Sequence, residues 1–230
     1  MYDLYIGNKN YSSWSLRPWV LMKALGIPFS EHLIPFHDQD AWSKYRLLSP
    51  NGMVPLLGDG DILVWDSLSI AEYLAERHEG VWPSDPAARA FARSAAAEMH
   101  SGFPALRNIC GMNIGVRINL HQQPDALKAN LARLSVLWND GISRFGGPFL
   151  AGPDFSAADA FFCPVAFRVQ TYGLELDRSS AAYVARLLGL PAMQEWYGGG
   201  LAETFRARPY EHEIDAVGTV TKDLRAPASN

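Results

Sequence analysis

Met53-Val54-Pro55-Leu56-Leu57-Gly58-Asp59-Gly60-Asp61-Ile62-Leu63-Val64-Trp65-Asp66-Ser67 is the stretch that decides the fold. Two apolar runs flank a Gly/Asp cluster, which predicts a β-hairpin. Asp66 and Ser67 are helix N-cap types. They stand before Leu68 to Glu76, where Ile70, Tyr73 and Leu74 follow the i, i+3, i+4 spacing of a helix. The segment therefore reads as a ββα unit, closing at Gly80.

Working toward the N-terminus, Tyr2 to Gly7 alternates as a strand would, with Tyr2, Leu4 and Ile6 on one side. A polar loop, Gly7 to Asn10, leads to Tyr11-Ser12-Ser13-Trp14-Ser15-Leu16-Arg17-Pro18. Hydroxyl residues suited to an N-cap there precede a proline suited to a first turn, so a helix is predicted from near Ser15 to Gly26. Phe29 to Pro35 reads as a second strand, and Asp38 to Leu48 as a short helix or a mobile loop. The first 80 residues thus order as βαβ followed by ββα.

Toward the C-terminus the pattern changes. Val81-Trp82-Pro83-Ser84-Asp85-Pro86 carries two prolines and reads as a linker, residues 81–86. Beyond it everything reads as helical: Ala87 to about Ile109, Pro124 to Arg144, a helix opened by the Ser156/Asp159 capping pattern, Ser179 to Leu188, and Pro191 to Arg208. Residues 87–216 are then an all-α domain, and residues 217–230 have the composition of a loose tail.

Composition narrows the function. The 230 residues are 48% hydrophobic and 19% charged, the balance of an ordinary globular chain. With 20 basic and 24 acidic residues the formal net charge is -4, which offers no footprint for nucleic acid or an anionic membrane. No signal-like N-terminus or long apolar run is present, which predicts a cytoplasmic protein. Cys110 and Cys163 stand far apart and form no C-x-x-C pair, so dithiol redox chemistry is not expected. The six histidines lack metal-ligand spacing, and no metal is predicted. The sequon at Asn10 reads as a chance match.

Three motifs in this order resemble the glutathione transferases over nearly the whole chain: Ser12-Ser13-Trp14-Ser15-Leu16-Arg17, similar to the serine-rich loop of zeta- and theta-like classes; Met53-Val54-Pro55-Leu56 with Asp66-Ser67; and Phe155-Ser156-Ala157-Ala158-Asp159. The resemblance implies an N-terminal thioredoxin-like domain, an all-helical C-terminal domain, a homodimer, and glutathione as co-substrate. It implies a cis Val54-Pro55 bond, with the backbone of Val54 pairing with the cysteinyl part of glutathione. Asp66 and Ser67, at a helix N-terminus, are implied to hold the γ-glutamyl end. Ser12, with Ser13 in reserve, is implied to activate the thiol. Either serine is also a plain helix cap.

A thiol such as that of glutathione has a pKa near ~8.5, and only the thiolate is nucleophilic. Lowering it by one to two pH units requires about 1.4 to 2.7 kcal/mol. One or two hydrogen bonds to a charged sulfur supply that. Further expectations from the resemblance are Met53, His37 and Lys44 near glutathione, and Trp14, Met99, Phe103 and Arg107 around an apolar electrophile. Arg17 is expected either to support the site electrostatically or to lie on the helix surface. Zeta enzymes carry cysteine where this chain has Trp14, which weighs against their isomerase activity. Glutathione-dependent isomerisation, ether cleavage and a non-catalytic binding role are the competing readings.

Overall fold

The computed structural model describes residues 1–36 and 46–228. Strand β1 (Tyr2–Ile6) lies at the centre of the first half. It runs parallel to β2 (Phe29–Leu33), with Tyr2 opposite Phe29, and antiparallel to β3 (Leu56–Asp59), with Leu4 opposite Leu57. The hairpin partner β4 (Ile62–Trp65) completes a sheet of order β2-β1-β3-β4. Its turn passes through Gly60 at φ +59°, where a side chain would be strained.

Helix α1 (Ser13–Ala24) begins two residues earlier than predicted, with Ser12 as its N-cap. Leu16, Trp19 and Val20 of α1, Leu4 and Ile6 of β1, and Ile70 and Leu74 of α2 (Ser67–Ala75) share one core. At about 1.5 to 3 kcal/mol for each large apolar side chain taken from water, this burial is what holds helix to sheet. This is the expected thioredoxin-like arrangement. Most of the predicted segment Asp38 to Leu48, including His37 just before it and Lys44 within it, lies outside the described residues.

The second half is mostly helical, in the order α3 (Pro86–Ser101), α4 (Pro104–Ile109), β5 (Val116–Leu120), α5 (Asp125–Phe145), α6 (Ala157–Tyr172), α7 (Arg178–Leu188), α8 (Pro191–Ala202), α9 (Arg208–Val217) and β6 (Gly218–Asp223). Helix α6 is its spine: residues 157–168 are all buried, and α6 packs on α1, α3 and α7. Asp159, fully buried, accepts hydrogen bonds from the backbone N–H of Ser156 (3.0 Å) and Leu150 (3.0 Å) and from the Tyr183 hydroxyl (2.9 Å). The Ser156/Asp159 pair is therefore an architectural cap.

Three expectations are corrected. The predicted continuous helix Ala87 to Ile109 breaks at Gly102-Phe103, where Phe103 adopts φ 58° and Pro104 starts a new helix. The predicted helix Pro191 to Arg208 ends at Ala202, because the chain turns to direct Glu203 inward. The loose tail is a strand: β6 pairs antiparallel with β5, so the half is not all-helical. Thr219-Val220-Thr221 have the β-branched character that suits this pairing. Asn10 is fully buried, which rules out its sequon as a glycan site.

Candidate active site

The loop between β1 and α1 carries the serines and is fixed from both sides. Within it, the N–H groups of Tyr11 and Ser12 reach the Asn8 carbonyl (3.1 and 2.8 Å). From the second half, the Glu203 carboxylate accepts the N–H groups of Lys9 (2.6 Å) and Asn10 (3.2 Å) and the Asn10 side-chain amide (3.0 Å). The Trp196 indole donates to the Lys9 carbonyl (2.9 Å), and the Ile114 N–H to that of Asn10 (3.2 Å). Sequence reading missed Asn8, Asn10 and Glu203, since nothing local distinguishes a buried acid from the other acids of the chain.

Ser12 and Ser13 are nearly buried and line one cavity of about 240 Å³. The Ser12 hydroxyl donates to Ser15 Oγ (2.7 Å), which in turn accepts the Gly7 N–H (3.1 Å). The Ser13 hydroxyl makes no hydrogen bond to another described residue. Val54, joined to Pro55 by a cis peptide bond, lines the same cavity with Met53 and Trp14. These three residues also line a neighbouring cavity of about 270 Å³ whose other walls are Asn51, Pro55, Asp66 and Ser67. The predicted serine pair, Val-Pro turn and Asp-Ser pair are thus arranged along one continuous groove.

Asp66 stands at φ 73°, a conformation costing a non-glycine residue of order 1–3 kcal/mol. It caps α2 through the Leu68 N–H (2.8 Å) and faces His100 Nε2 at 3.4 Å. Ser67 Oγ accepts from Arg17 Nη1 (3.2 Å), which also meets His100 Nδ1 at 3.5 Å. Arg17 is buried rather than on the helix surface, and its guanidinium lies over the rings of Trp14 (4.1 Å) and Phe161 (4.8 Å). Burial, with Arg107 and Arg168 nearby, opposes the Arg17 charge, while Asp66 favours it. Burial likewise holds the His100 imidazolium below its ordinary range.

Among the expected electrophile residues, Trp14 and Arg107 line the serine cavity. Met99 and Phe103 do not: both are buried in the core and line neither cavity. The helix break at Gly102-Phe103 turns the following residues, and the Arg107 side chain folds back to the carbonyls of Met99, His100 and Gly102. The remaining walls of the serine cavity were not foreseen: Tyr11, Phe36, Gly52, Gly111, Met112, Arg168, Tyr210 and Glu213. Tyr11 directs its hydroxyl to Glu211 (2.7 Å), and burial raises its pKa first, with that hydrogen bond adding to the effect. A larger cleft of about 660 Å³ lies around the linker, lined by residues such as His78, Trp82 and Arg89, and contains neither serine.

Residues 11–77 match the family model described as Glutathione S-transferase, N-terminal domain. Glutathione S-transferase F14 of Arabidopsis thaliana is 30% identical over 183 residues, covering 73% of this chain and 72% of the relative. The chain belongs to the glutathione transferase family. Members of this enzyme family use glutathione as co-substrate, and Ser12, Ser13, Val54, Pro55, Asp66 and Ser67 all lie within the residues that the family model matches. A probable maleylacetoacetate isomerase of Caenorhabditis elegans is 25% identical over 184 residues, covering 76% of this chain and 81% of the relative. For the fold, the theta class glutathione S-transferase of Xanthomonas axonopodis pv. citri, a structure with glutathione bound, superposes with a TM-score of 0.62 at 24% identity, covering 85% of this transferase and 96% of that chain. Among the described residues of the transferase, no helix is long and apolar enough to cross a membrane.

Proposed function

We propose that this transferase conjugates glutathione to a small electrophile, with the thiol ionised by hydroxyl donation from Ser12 and Ser13 as its neighbour in reserve. The observation that carries the reading is the shared wall of the two cavities. Trp14, Met53 and Val54 lie between the Asp66-Ser67 end and the serine pair. A tripeptide seated with its γ-glutamyl group at Ser67 and its backbone along Val54 brings its sulfur toward Ser12. Ser67 at the N-terminus of α2, with Arg17 behind it, suits the γ-glutamyl carboxylate. Asp66 suits the ammonium group.

Ser12 is supported as a donor by what stands behind it. When its proton turns to the sulfur, Ser15 Oγ donates to Ser12 in its place, itself held by the Gly7 N–H. The chemistry is substitution or addition: the thiolate sulfur forms a bond to the electrophilic carbon, a leaving group departs with its electron pair where one is present, and the thiol proton passes to solvent. Tyr11 is a poor rival, because its hydroxyl is committed to Glu211.

The test is conjugation of glutathione to 1-chloro-2,4-dinitrobenzene together with calorimetry of glutathione alone. Saturable binding and a conjugation rate above the uncatalysed one support the reading; no binding at millimolar glutathione contradicts it and favours a non-catalytic role. With a cis-olefinic substrate in its place, recovery of the trans isomer and unchanged glutathione would point instead to the isomerase reading. We further propose a homodimer, since Ile62, Leu63 and Trp65 expose apolar surface on the hairpin. Light scattering at twice the chain mass supports it, and a monomer contradicts it.

A further inference from the structure

The serine cavity has a cationic floor that the conjugation reaction itself does not call for. Arg168 projects from the middle of α6, a helix whose only other charged side chain is Asp159. It is 4% exposed, and its Nε donates to the Cys110 carbonyl (2.7 Å), which fixes the guanidinium plane. Its Nη1 is buried with no hydrogen-bond partner among the described residues, yet Arg168 lines the cavity. Burial lowers its pKa to about 10, so the charge persists at neutral pH.

Arg107, the second arginine of the wall, spends its hydrogen bonds on the backbone at the α3–α4 break and leaves a second positive charge beside the cavity. Against these two arginines the cavity wall has, among the described residues, a single carboxylate, Glu213. Neighbouring loops are pinned by other α6 side chains, Thr171 to the Asn113 carbonyl (2.8 Å) and Tyr172 to that of Gly111 (2.9 Å), so the floor is rigid. An unpaired buried charge at a rigid site is a standing cost that a ligand of opposite sign removes.

The geometry points to Arg168 as a specificity residue for the second substrate, which carries a carboxylate that pairs with the Arg168 guanidinium while its electrophilic carbon faces the serine pair. This rests on the proposed function, and it narrows the expected apolar electrophile to one with an apolar body and an anionic end. The body fits against Trp14, Phe36, Met112 and Tyr210.

The test is calorimetric binding of two conjugates to the whole protein. One is the glutathione conjugate of 4-chloro-3,5-dinitrobenzoate, and the other is its carboxamide counterpart. Both contain the same glutathione, so its own glycyl carboxylate cancels. The expected result is a carboxylate preference of about tenfold or more, the scale of one charge-assisted hydrogen bond. In Arg168→Gln the preference collapses to about twofold or less, and Arg168→Lys keeps part of it.

Equal affinities in the unmodified protein overturn the proposal, as does a preference that survives in folded Arg168→Gln. So does a uniform weakening of both conjugates and of free glutathione, which assigns Arg168 to glutathione itself. Should Arg168→Gln fail to fold, the unmodified protein and Arg168→Lys decide. Failure of glutathione alone to bind instead removes the transferase reading beneath it.

Discussion

Glu203 holds Asn10 twice, accepting its backbone N–H at 3.2 Å and its side-chain amide at 3.0 Å across 193 positions of sequence. The same carboxylate accepts the Lys9 N–H, so one acid of the C-terminal half sets the course of the loop that presents Ser12. Glu203→Ala leaves three donors without this acceptor. A loss of stability of about 2 to 4 kcal/mol is expected, together with a lower kcat as the serine loop loosens. Denaturant melts and conjugation kinetics check both. Unchanged stability would show that the loop is held by its own turn.

Ser67 marks the opposite end of the groove. Ser67→Ala removes a hydroxyl from the carboxylate site while leaving the serine loop untouched. The KM for glutathione is expected to rise by about ten- to a hundredfold, with kcat at saturation changed little, as for a group that binds ground and transition states alike. A fall in kcat at unchanged KM would place glutathione elsewhere.

His100 gives a pH signature. Burial depresses its folded pKa below the ordinary 6.5, Arg17 and Arg107 push the same way, and Asp66 opposes them. As pH falls through the ordinary value, the unfolded chain takes up this proton before the folded one. Stability is therefore lost with falling pH, fully so below the folded pKa. Thermal melts between pH 7 and 5 should fall more steeply in the unmodified protein than in His100→Gln. A steeper fall in the variant would mean that the Asp66 contact, not burial, dominates.

How much of this was legible beforehand depends on whether the signal was local. The hairpin around Gly60 and the cap at Asp66 are written in adjacent residues, and the structure has both. The groove residues Ser12, Val54 and Ser67 were found because family motifs carry them. Arg168 was not, because a lone arginine in an apolar helix has no periodic partner, and only the packing of α6 against the 110–114 loop gives it meaning. Strand β6 was missed for a similar reason: Thr219 to Thr221 are short and polar, and their partner β5 lies about a hundred residues upstream. Met99 lies on the buried face of α3, and Phe103 is turned into the core where that helix breaks, so neither lines either cavity of the groove.

The central claim is that Ser12 stabilises the thiolate of bound glutathione, and the most direct measurement is the ultraviolet pH titration of that thiolate on the protein. The account predicts a bound pKa one to two pH units below ~8.5. In Ser12→Ala it should return most of the way, while Ser13→Ala has the smaller effect. An unshifted bound thiol, or a shift untouched by either substitution, would contradict the account.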